Sequence, residues 1–199
     1  APESVDLIVS LMSLHAANDP PGALAQLQRA LKPDGLLIAA ALGGDSLAPL
    51  RSAFLVAETD VRGAAAPRVA PMADARAYGG LLQRAGFALP VTDVDRVVVR
   101  YADGLSLLRD LKAMGETNVL SERSRTMLRR DVLARAMSLL AEGAAAEDGR
   151  FAVPFEVVFA TGWAPHESQQ KPLKPGAAAI RLSTALGVEE TSAGEKAGS

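Results

Sequence analysis

The chain has 199 residues, of which 49% are hydrophobic and 22% charged, and its formal net charge at pH 7 is −2. These values are typical of a folded globular domain, and so small a net charge offers no general attraction for nucleic acid or an anionic membrane. The absence of cysteine excludes disulfides, thiolate metal sites and cysteine nucleophiles. We therefore expect a cytoplasmic protein, or a mitochondrial matrix protein in a eukaryote, with no metal site, membrane span or nucleic-acid partner.

Residues 5–42 predict, in order, a strand, a loop, a helix, a turn and a second strand. Residues 5–11 and 36–42 are continuous apolar runs of strand length, as found in parallel sheets that helices cover on both faces. The helix between them is predicted to begin after Asp19, which can cap it, and to end before the Lys-Pro-Asp-Gly turn at residues 32–35. Such a unit places its ligand-facing loops at the carboxyl ends of the strands.

Gly43 and Gly44 follow the second predicted strand and precede a helix that is predicted to reach about Glu58. Asp45 or Ser46 is the expected cap of this helix. The two glycines indicate either close approach of the backbone to a ligand or a plain strand-to-helix turn. The predicted apolar face of the helix consists of Leu47, Leu50, Phe54 and Leu55.

The run D-L-I-V-S-L-x-S-L-H-x-x-N-D-x-P-x-A-L-x-x-L-x-R-x-L-K-P-x-G resembles the fourth strand, helix and fifth strand of class I S-adenosylmethionine-dependent methyltransferases. It is most similar to the branch that holds the malonyl-carrier-protein methyltransferase of biotin synthesis and the methyltransferase-like assembly factor of respiratory complex I. The resemblance implies an α/β fold: the C-terminal portion of a Rossmann-like class I methyltransferase sheet, strands four to seven, with a helical lid inserted before the last strand. Since residue 1 is alanine and the glycine-rich cofactor loop of the family is absent from these residues, we expect a fragment.

The sequence predicts two further strands that would complete this portion of the sheet. A helix capped by Asp74 should end at Gly86, and a strand should follow to about Tyr101. A second strand begins at residue 151, where apolar residues alternate, and should be the antiparallel seventh strand; Pro154 favours an edge or a bulge there. The predicted buried faces consist of Val91, Val97, Val99 and Tyr101 in the first strand and of Phe151, Val153, Phe155, Val157 and Phe159 in the second.

Two helices, over residues 103–114 and 121–143, are predicted between these strands. A similar insertion in the biotin-synthesis methyltransferases carries an L-K-x-x-G element like that at residues 111–115, which implies that residues 103–149 form a lid; the alternative is a helical hairpin that only adds core. Several arginines make the second helix basic, which indicates either a solvated face or a docking surface for an acidic partner. The predicted apolar faces are Leu105, Leu108 and Leu111, then Leu128, Val132, Ala136, Leu139 and Leu140.

We expect the methyltransferase domain to occupy residues 1–162 and an extended tail to occupy residues 163–199, with residues 188–199 disordered. The run W-x-P-H-x-S-Q-Q-K-P-x-x-P-G, which begins at Trp163, resembles the tail of the complex I assembly-factor branch. The tail and the lid are therefore candidate contacts for a protein partner.

The resemblance implies that the loop after the first strand lies beside the cofactor, S-adenosyl-L-methionine, with contacts from Ser10, Leu11, Ser13 and His15. His15 is the candidate catalytic residue, because an imidazole can act as a base or a hydrogen-bond donor near neutral pH. The alternative is that His15 only braces the loop. Relatives commonly have tryptophan where this chain has Ala16, so an aromatic wall of the pocket is in doubt.

The acceptor side of the site is expected to involve residues of the lid and of the loop before it. The fork of donors on Arg68 can pair with a substrate carboxylate, although an isolated loop arginine is more often a solvated surface residue. The candidate substrate and lid residues are Arg68, Arg109, Lys112, Met114 and Asn118.

The resemblance thus implies an S-adenosylmethionine-dependent methyltransferase whose acceptor is a small molecule or a carrier-bound carboxylate or oxygen. The alternative is a non-methylating protein like the complex I assembly factor, and relatives of that kind are implicated in arginine hydroxylation. A nucleotide-binding oxidoreductase is a third candidate, which would need an upstream G-x-G-x-x-G motif. The full-length protein is expected to be an enzyme, whereas this chain alone should bind the cofactor weakly or not at all and be inactive.

Overall fold

The computed structural model describes residues 1–121, 123–144, 146, 148–170, 184 and 186–188. The chain divides into two compact units, Ala1–His166 and Glu167–Ser199. The predicted disorder of residues 188–199 lies, apart from residue 188, outside the described residues. Among the helices of the described residues, none is long and apolar enough to cross a membrane.

The first unit is a four-stranded sheet with helices on both faces. The strands lie in the order β1-β2-β4-β3; β1 and β2 are parallel, and β4 is antiparallel to both of its neighbours. The prediction of a mixed α/β fold, with two helices inserted before an antiparallel last strand, is confirmed. In chain order the elements are β1 (Val5–Leu11), a 3-10 turn (Leu14–Ala16), α1 (Pro20–Ala30), β2 (Leu31–Gly43), α2 (Ala48–Arg62), α3 (Ala75–Arg84), β3 (Ala88–Tyr101), α4 (Gly104–Ala113), α5 (Arg130–Gly143) and β4 (Phe151–Trp163).

The first helix and the turn that follows it are close to the prediction. The Asp19 carboxylate accepts a hydrogen bond from the Gly22 N–H at 3.0 Å and caps α1. The predicted turn at residues 32–35 lies inside β2 as an irregularity, where the pairing with β1 shifts register. Asp34, and not the glycine after it, adopts the positive φ of 63°.

Two hydrophobic clusters cover opposite faces of the sheet at opposite ends of the strands. In one cluster, helices α2, α4 and α5 pack against Leu42, Val153 and Phe155. In the other, helices α1 and α3 pack against Leu37, Val158 and other residues of β2 and β4. Neighbouring residues of a strand point to opposite faces, and the two clusters cover opposite faces at the two ends. The more buried side chains are therefore at odd-numbered positions at one end of β3 and β4 and at even-numbered positions at the other.

This change of parity corrects the predicted buried faces of the last two strands. Val91 and Val97 are 61% and 46% exposed, although Tyr101, of the same parity, is buried. In β4, Val153 and Phe155 are buried as predicted, whereas Phe159 is exposed. A strict alternation rule assumes that one face is covered along the whole strand, and here different helices cover each end.

Pro154 lies in an interior strand, but at a place where that strand has one neighbour. It pairs with Val98 of β3, while the pairing between β4 and β2 ends at Gly43 and Glu156. The backbone N–H of Leu47 donates to the Pro154 carbonyl at 3.1 Å. The missing amide hydrogen of proline therefore breaks no bond between strands, which is the condition for proline in a sheet.

Helix α2 differs from the prediction at its start and on its face. Leu47, with φ of 58°, is the cap, and no side chain caps the helix. Ser46 is fully buried, and its hydroxyl donates to the Gly43 carbonyl at 2.7 Å instead. Leu50 and Phe54 are buried as predicted, but Leu55 is exposed.

The helices between β3 and β4 supply part of the core. Leu107 and Leu111 of α4 are buried one turn apart, whereas the predicted Leu105 is exposed. Helix α5 begins at Arg130, later than the predicted residue 121. The hydroxyls of Ser124 and Thr126 lie 2.8 Å apart in the segment before it, and local side-chain bonds of this kind compete with helix formation.

One end of the sheet face that carries α2, α4 and α5 is left uncovered by the described residues. Residues paired across β1, β2, β4 and β3 share a face, so their exposed apolar side chains form a continuous patch. This patch consists of Leu7, Val9, Leu11, Ile38, Val91, Phe159 and Trp163.

Candidate functional site

A pocket of about 300 Å³ lies beyond the carboxyl ends of the parallel strands β1 and β2. In open α/β sheets this end of the strands is where ligands bind. The walls come from the loop after β1, helix α2, the loop that follows α2, helix α4 and the segment after α4. Apolar residues form most of the lining: Ala16, Leu47, Leu50, Phe54, Val69, Ala70, Met72, Leu108, Leu111, Val119 and Leu128.

The polar residues of the lining include four of the predicted site residues. The structure brings together His15, Arg68, Lys112 and Asn118, although up to about half of the chain separates them in sequence. The remaining polar lining residues are Glu116 and Thr117. An apolar pocket with a few convergent polar groups is the usual form of a small-molecule site.

His15 is held at both of its ring nitrogens. Its Nδ1 accepts a hydrogen bond from the backbone N–H of Leu42 at 3.2 Å, and its Nε2 lies 2.9 Å and 3.0 Å from the two carboxylate oxygens of Glu116. An Nδ1 atom that accepts a hydrogen bond carries no proton, so Nε2–H donates to Glu116. This arrangement gives a neutral imidazole with a defined tautomer.

Arg68 is also held in place, by a carboxylate outside the pocket lining. Its Nε donates to Oε1 of Glu58 at 2.6 Å, and Nη1 of Arg62 lies 3.2 Å from Oε2 of the same carboxylate. Glu58 has no exposed side-chain surface, and the side chain of Arg68 is 13% exposed. The ion pair fixes the guanidinium of Arg68 at the pocket wall.

The predicted lid residues are divided between the pocket and the surface. Asn118 donates from Nδ2 to the Pro67 carbonyl at 3.0 Å and so links the segment after α4 to the loop that carries Arg68. Lys112 lines the pocket from the last turn of α4. Arg109 and Met114 lie outside the lining, and Met114 is exposed.

The predicted cofactor residues before His15 face a different cavity. Ser10, Leu11 and Ser13 line an open groove between β1 and α1, and the Ser10 and Ser13 hydroxyls lie 3.0 Å apart. Leu11 is exposed. The turn after β1 therefore borders both cavities, since Ser13, Leu14 and Ala17 line the groove while His15 and Ala16 line the pocket.

The two glycines after β2 are enclosed by the protein itself. A Cβ atom on Gly43 would lie 2.6 Å from the Ala73 carbonyl oxygen and 2.5 Å from Val158. Gly44 has φ of 54°, and a Cβ there would meet the carboxylate of Glu156. Packing inside the chain thus accounts for both glycines and favours the plain-turn interpretation.

Sequence reasoning missed Glu58 and Glu116. The signal for Glu58 is its position on α2, four residues after Phe54 and one after Ala57, where it falls on the buried face. Glu116 directly follows the L-K-x-x-G element, but no local pattern indicates that it pairs with a histidine 101 residues away. Among the described residues, no group of three or more His, Cys, Asp or Glu side chains is arranged to hold a metal ion.

Comparison with known proteins shows which family the chain resembles. Residues 1–90 match the family described as "Methyltransferase domain". The chain is 40% identical over 175 residues to the zebrafish (Danio rerio) protein "Arginine-hydroxylase NDUFAF5, mitochondrial", an alignment that covers 88% of this chain and 54% of the relative. It is 36% identical over 173 residues to the "Malonyl-[acyl-carrier protein] O-methyltransferase" of Laribacter hongkongensis, which covers 87% of this chain and 56% of that relative.

A solved structure of a methyltransferase-like protein from Bacillus halodurans has the same fold. The TM-score is 0.50 at 13% identity, with 83% of this chain and 72% of the other chain covered. The chain spans about half the length of the curated relatives it matches. The alignment leaves about a quarter of that chain without a counterpart in this one, so the chain holds part of that fold.

Proposed function

We propose, from the premise that the chain belongs to the class I S-adenosylmethionine-dependent methyltransferase family, that it forms the acceptor side of a methyltransferase active site. The observation that carries the proposal is the pocket at the carboxyl ends of β1 and β2, which meets the loop that we expect, from the family resemblance, to lie beside the cofactor. Its apolar walls suit an aliphatic group, and its cationic side chains suit an acidic end. The proposed acceptor is a small molecule or a carrier-bound group that ends in a carboxylate or another oxygen.

The end of β1 and the loop after it fit one side of the cofactor. The hydroxyls of Ser10 and Ser13 can donate to its amino-acid end, and the exposed side chain of Leu11 can cover apolar atoms. S-Adenosyl-L-methionine, when bound, supplies an electrophilic methyl group. The remaining contacts with the cofactor are proposed to come from residues outside this chain, because no glycine-rich cofactor motif occurs within it.

Methyl transfer requires the protein mainly to position the acceptor against the methyl group and to exclude water. An acceptor carboxylate already carries the electron pair that forms the new oxygen–carbon bond as the sulfur–carbon bond breaks, so no base is needed. Arg68, held by Glu58, is proposed to orient that carboxylate, with Lys112 as a second cation. His15 is proposed to act as a neutral hydrogen-bond donor and a brace for the loop, since its Nε2 already carries the proton that a base would have to take.

A second candidate function is arginine hydroxylation. It is favoured by the relatives named as arginine hydroxylases, one of which, from mouse, aligns with 96% of this chain. A carboxylate in the pocket, that of Glu116, is the kind of group that binds a guanidinium. Hydroxylation would insert one oxygen atom into a carbon–hydrogen bond, so dioxygen and a reductant must be supplied in its assay. The protein is proposed to work in the cytoplasm or in the mitochondrial matrix, with a carrier protein or a respiratory subunit as partner.

Mass spectrometry of two substrates distinguishes the candidates. The full-length protein is incubated with S-adenosyl-L-methionine and either a malonyl-loaded carrier protein or an arginine-containing peptide, and the reaction with the peptide also contains dioxygen and a reductant. A methyl group added to the malonyl group supports the proposed function, whereas one oxygen atom added to arginine, with no methyl transfer, replaces it by the second candidate.

Replacement of Lys112 by methionine tests the acceptor side of the pocket. We expect a KM for the acidic acceptor about ten-fold higher, because one charge-assisted hydrogen bond is lost, with a smaller change in kcat. Arg84→Met, at the exposed end of α3, is the matched control and should leave both constants unchanged. Equal KM values for the two variants would remove Lys112 from the acceptor site.

A further inference from the structure

Glu116 joins two parts of the chain that the sequence separates by 101 residues. It belongs to the segment after α4, while His15 belongs to the 3-10 turn after β1. Both carboxylate oxygens of Glu116 lie within 3.0 Å of His15 Nε2. The side chains of His15 and Glu116 are 4% and 19% exposed, so water competes little for either group.

The backbone of β2 completes this arrangement. The Leu42 N–H donates to His15 Nδ1, which is therefore unprotonated, and the single ring proton is on Nε2, where Glu116 accepts it. Removal of the carboxylate would leave a nearly buried N–H without an acceptor. The ring could then satisfy Nε2 only by moving, and Leu42 would lose its acceptor in turn.

We propose that Glu116 is a positioning residue, which selects the tautomer of His15 and fastens the segment after α4 to the loop after β1. The inference rests on the proposed function in one respect: in a methyltransferase this contact would join the acceptor pocket to the cofactor loop. Binding of either ligand would then favour the arrangement that the other needs. The contact itself, and the tautomer that it selects, do not depend on which reaction the protein performs.

The two histidines of the chain make the tautomer directly measurable. Histidine labelled with nitrogen-15 in the ring gives separate signals for protonated and unprotonated nitrogens, and the spectrum of the variant His166→Gln identifies those of His15. We expect a protonated Nε2 and an unprotonated Nδ1 at neutral pH in the unmodified chain. A His15 ring protonated on Nδ1 would overturn the proposal without the need for any variant.

Two substitutions at Glu116 separate positioning from simple packing. Glu116→Gln retains an oxygen acceptor and should keep the Nε2–H tautomer, whereas Glu116→Leu fills the space without an acceptor and should give a mixture of tautomers. Amide hydrogens of residues 114–121 should exchange about ten-fold faster in the leucine variant, since a hydrogen bond to a charged group is lost. The matched control is Glu142→Leu, which removes an exposed glutamate of α5 that, among the described residues, accepts a hydrogen bond from Ser138.

The outcomes separate this proposal from the proposed function. Tautomer mixing and faster exchange in Glu116→Leu, with neither in Glu116→Gln or Glu142→Leu, support the positioning role even if no methyl transfer is found. If the His15 tautomer and the amide exchange rates of Glu116→Leu equal those of Glu142→Leu, the positioning role is overturned, even if the protein proves to be a methyltransferase. Should Glu116→Leu fail to fold, the spectrum of the unmodified chain and that of Glu116→Gln decide the question.

Discussion

Replacement of Glu58 by leucine is expected to lower the free energy of unfolding by about 3 kcal/mol. Leucine has a similar volume, so the loss comes from the charges that remain. Arg68, whose side chain is 13% exposed, would keep its charge without a partner, whereas Arg62, at 33% exposed, could turn towards water. Urea unfolding, followed by circular dichroism at constant m-value, measures the change.

A second variant shows whether charge is the cause. In Glu58→Leu combined with Arg68→Met, both members of the buried pair become apolar, and most of the lost stability should return. The matched control is Asp60→Ala on the same helix. Asp60 also pairs with an arginine, Arg135, at 2.9 Å, but their side chains are 43% and 41% exposed, so its loss should cost less than about 1 kcal/mol. A Glu58→Leu variant no less stable than Asp60→Ala would contradict the claim that the loss of Glu58 leaves a buried, unpaired charge on Arg68.

The same buried pair bears on function, because it determines where the guanidinium of Arg68 lies. A flexible arginine loses side-chain entropy when it binds an anion, and an arginine already fixed by Glu58 loses less. The ion pair that stabilises the fold therefore also fixes the position of Arg68 in the proposed acceptor site.

Replacement of Gly43 by alanine is expected to lower the free energy of unfolding by about 1–3 kcal/mol. The new methyl group would lie 2.6 Å from the Ala73 carbonyl oxygen, and that carbonyl accepts a hydrogen bond from the Gly44 N–H at 3.1 Å. The backbone at Ala73 cannot move away without weakening this bond. Thermal or urea unfolding of the variant measures the effect.

Gly80→Ala is the control, and we expect it to change the free energy of unfolding in the opposite direction. Gly80 lies inside α3, and apart from its chain neighbours and the backbone of its own helix, no heavy atom of the described residues is within 4 Å of the position that a Cβ would take. Alanine there should raise the free energy of unfolding by about 0.5–1 kcal/mol, since it restricts the unfolded chain and favours the helix. A Gly43→Ala variant as stable as the unmodified chain would mean that the space beside Gly43 is open, and the ligand-approach interpretation would return.

Local patterns in the sequence predicted most of the helices and strands. Apolar runs, helical spacing and the caps Asp19 and Asp74 indicated the elements up to β3, because these signals act within one or two turns of the chain. The buried faces of β3 and β4 were wrong at Val91, Val97 and Phe159, because which helix covers which end of a sheet is a property of the assembled layers.

The residues of the candidate site also divide into those that the sequence indicated and those that only the fold reveals. The positions of His15 and Arg68 were indicated by residue type and by resemblance, and both line the pocket. Their partners were not, because Glu116 reaches His15 across 101 residues and Glu58 reaches Arg68 across a loop. A carboxylate in a sequence looks the same whether water or an arginine surrounds it, so only the fold distinguishes the two.

The measurement that tests the central claim most directly is a calorimetric titration of S-adenosylhomocysteine. It compares this chain with the longer protein encoded when the upstream coding sequence is included. We predict that the longer protein binds the ligand and that this chain binds it weakly or not at all, because the loop after β1 is proposed to supply only one side of the cofactor site. Absence of binding to either protein would contradict the methyltransferase assignment and direct the search to a protein partner of the segment after α4.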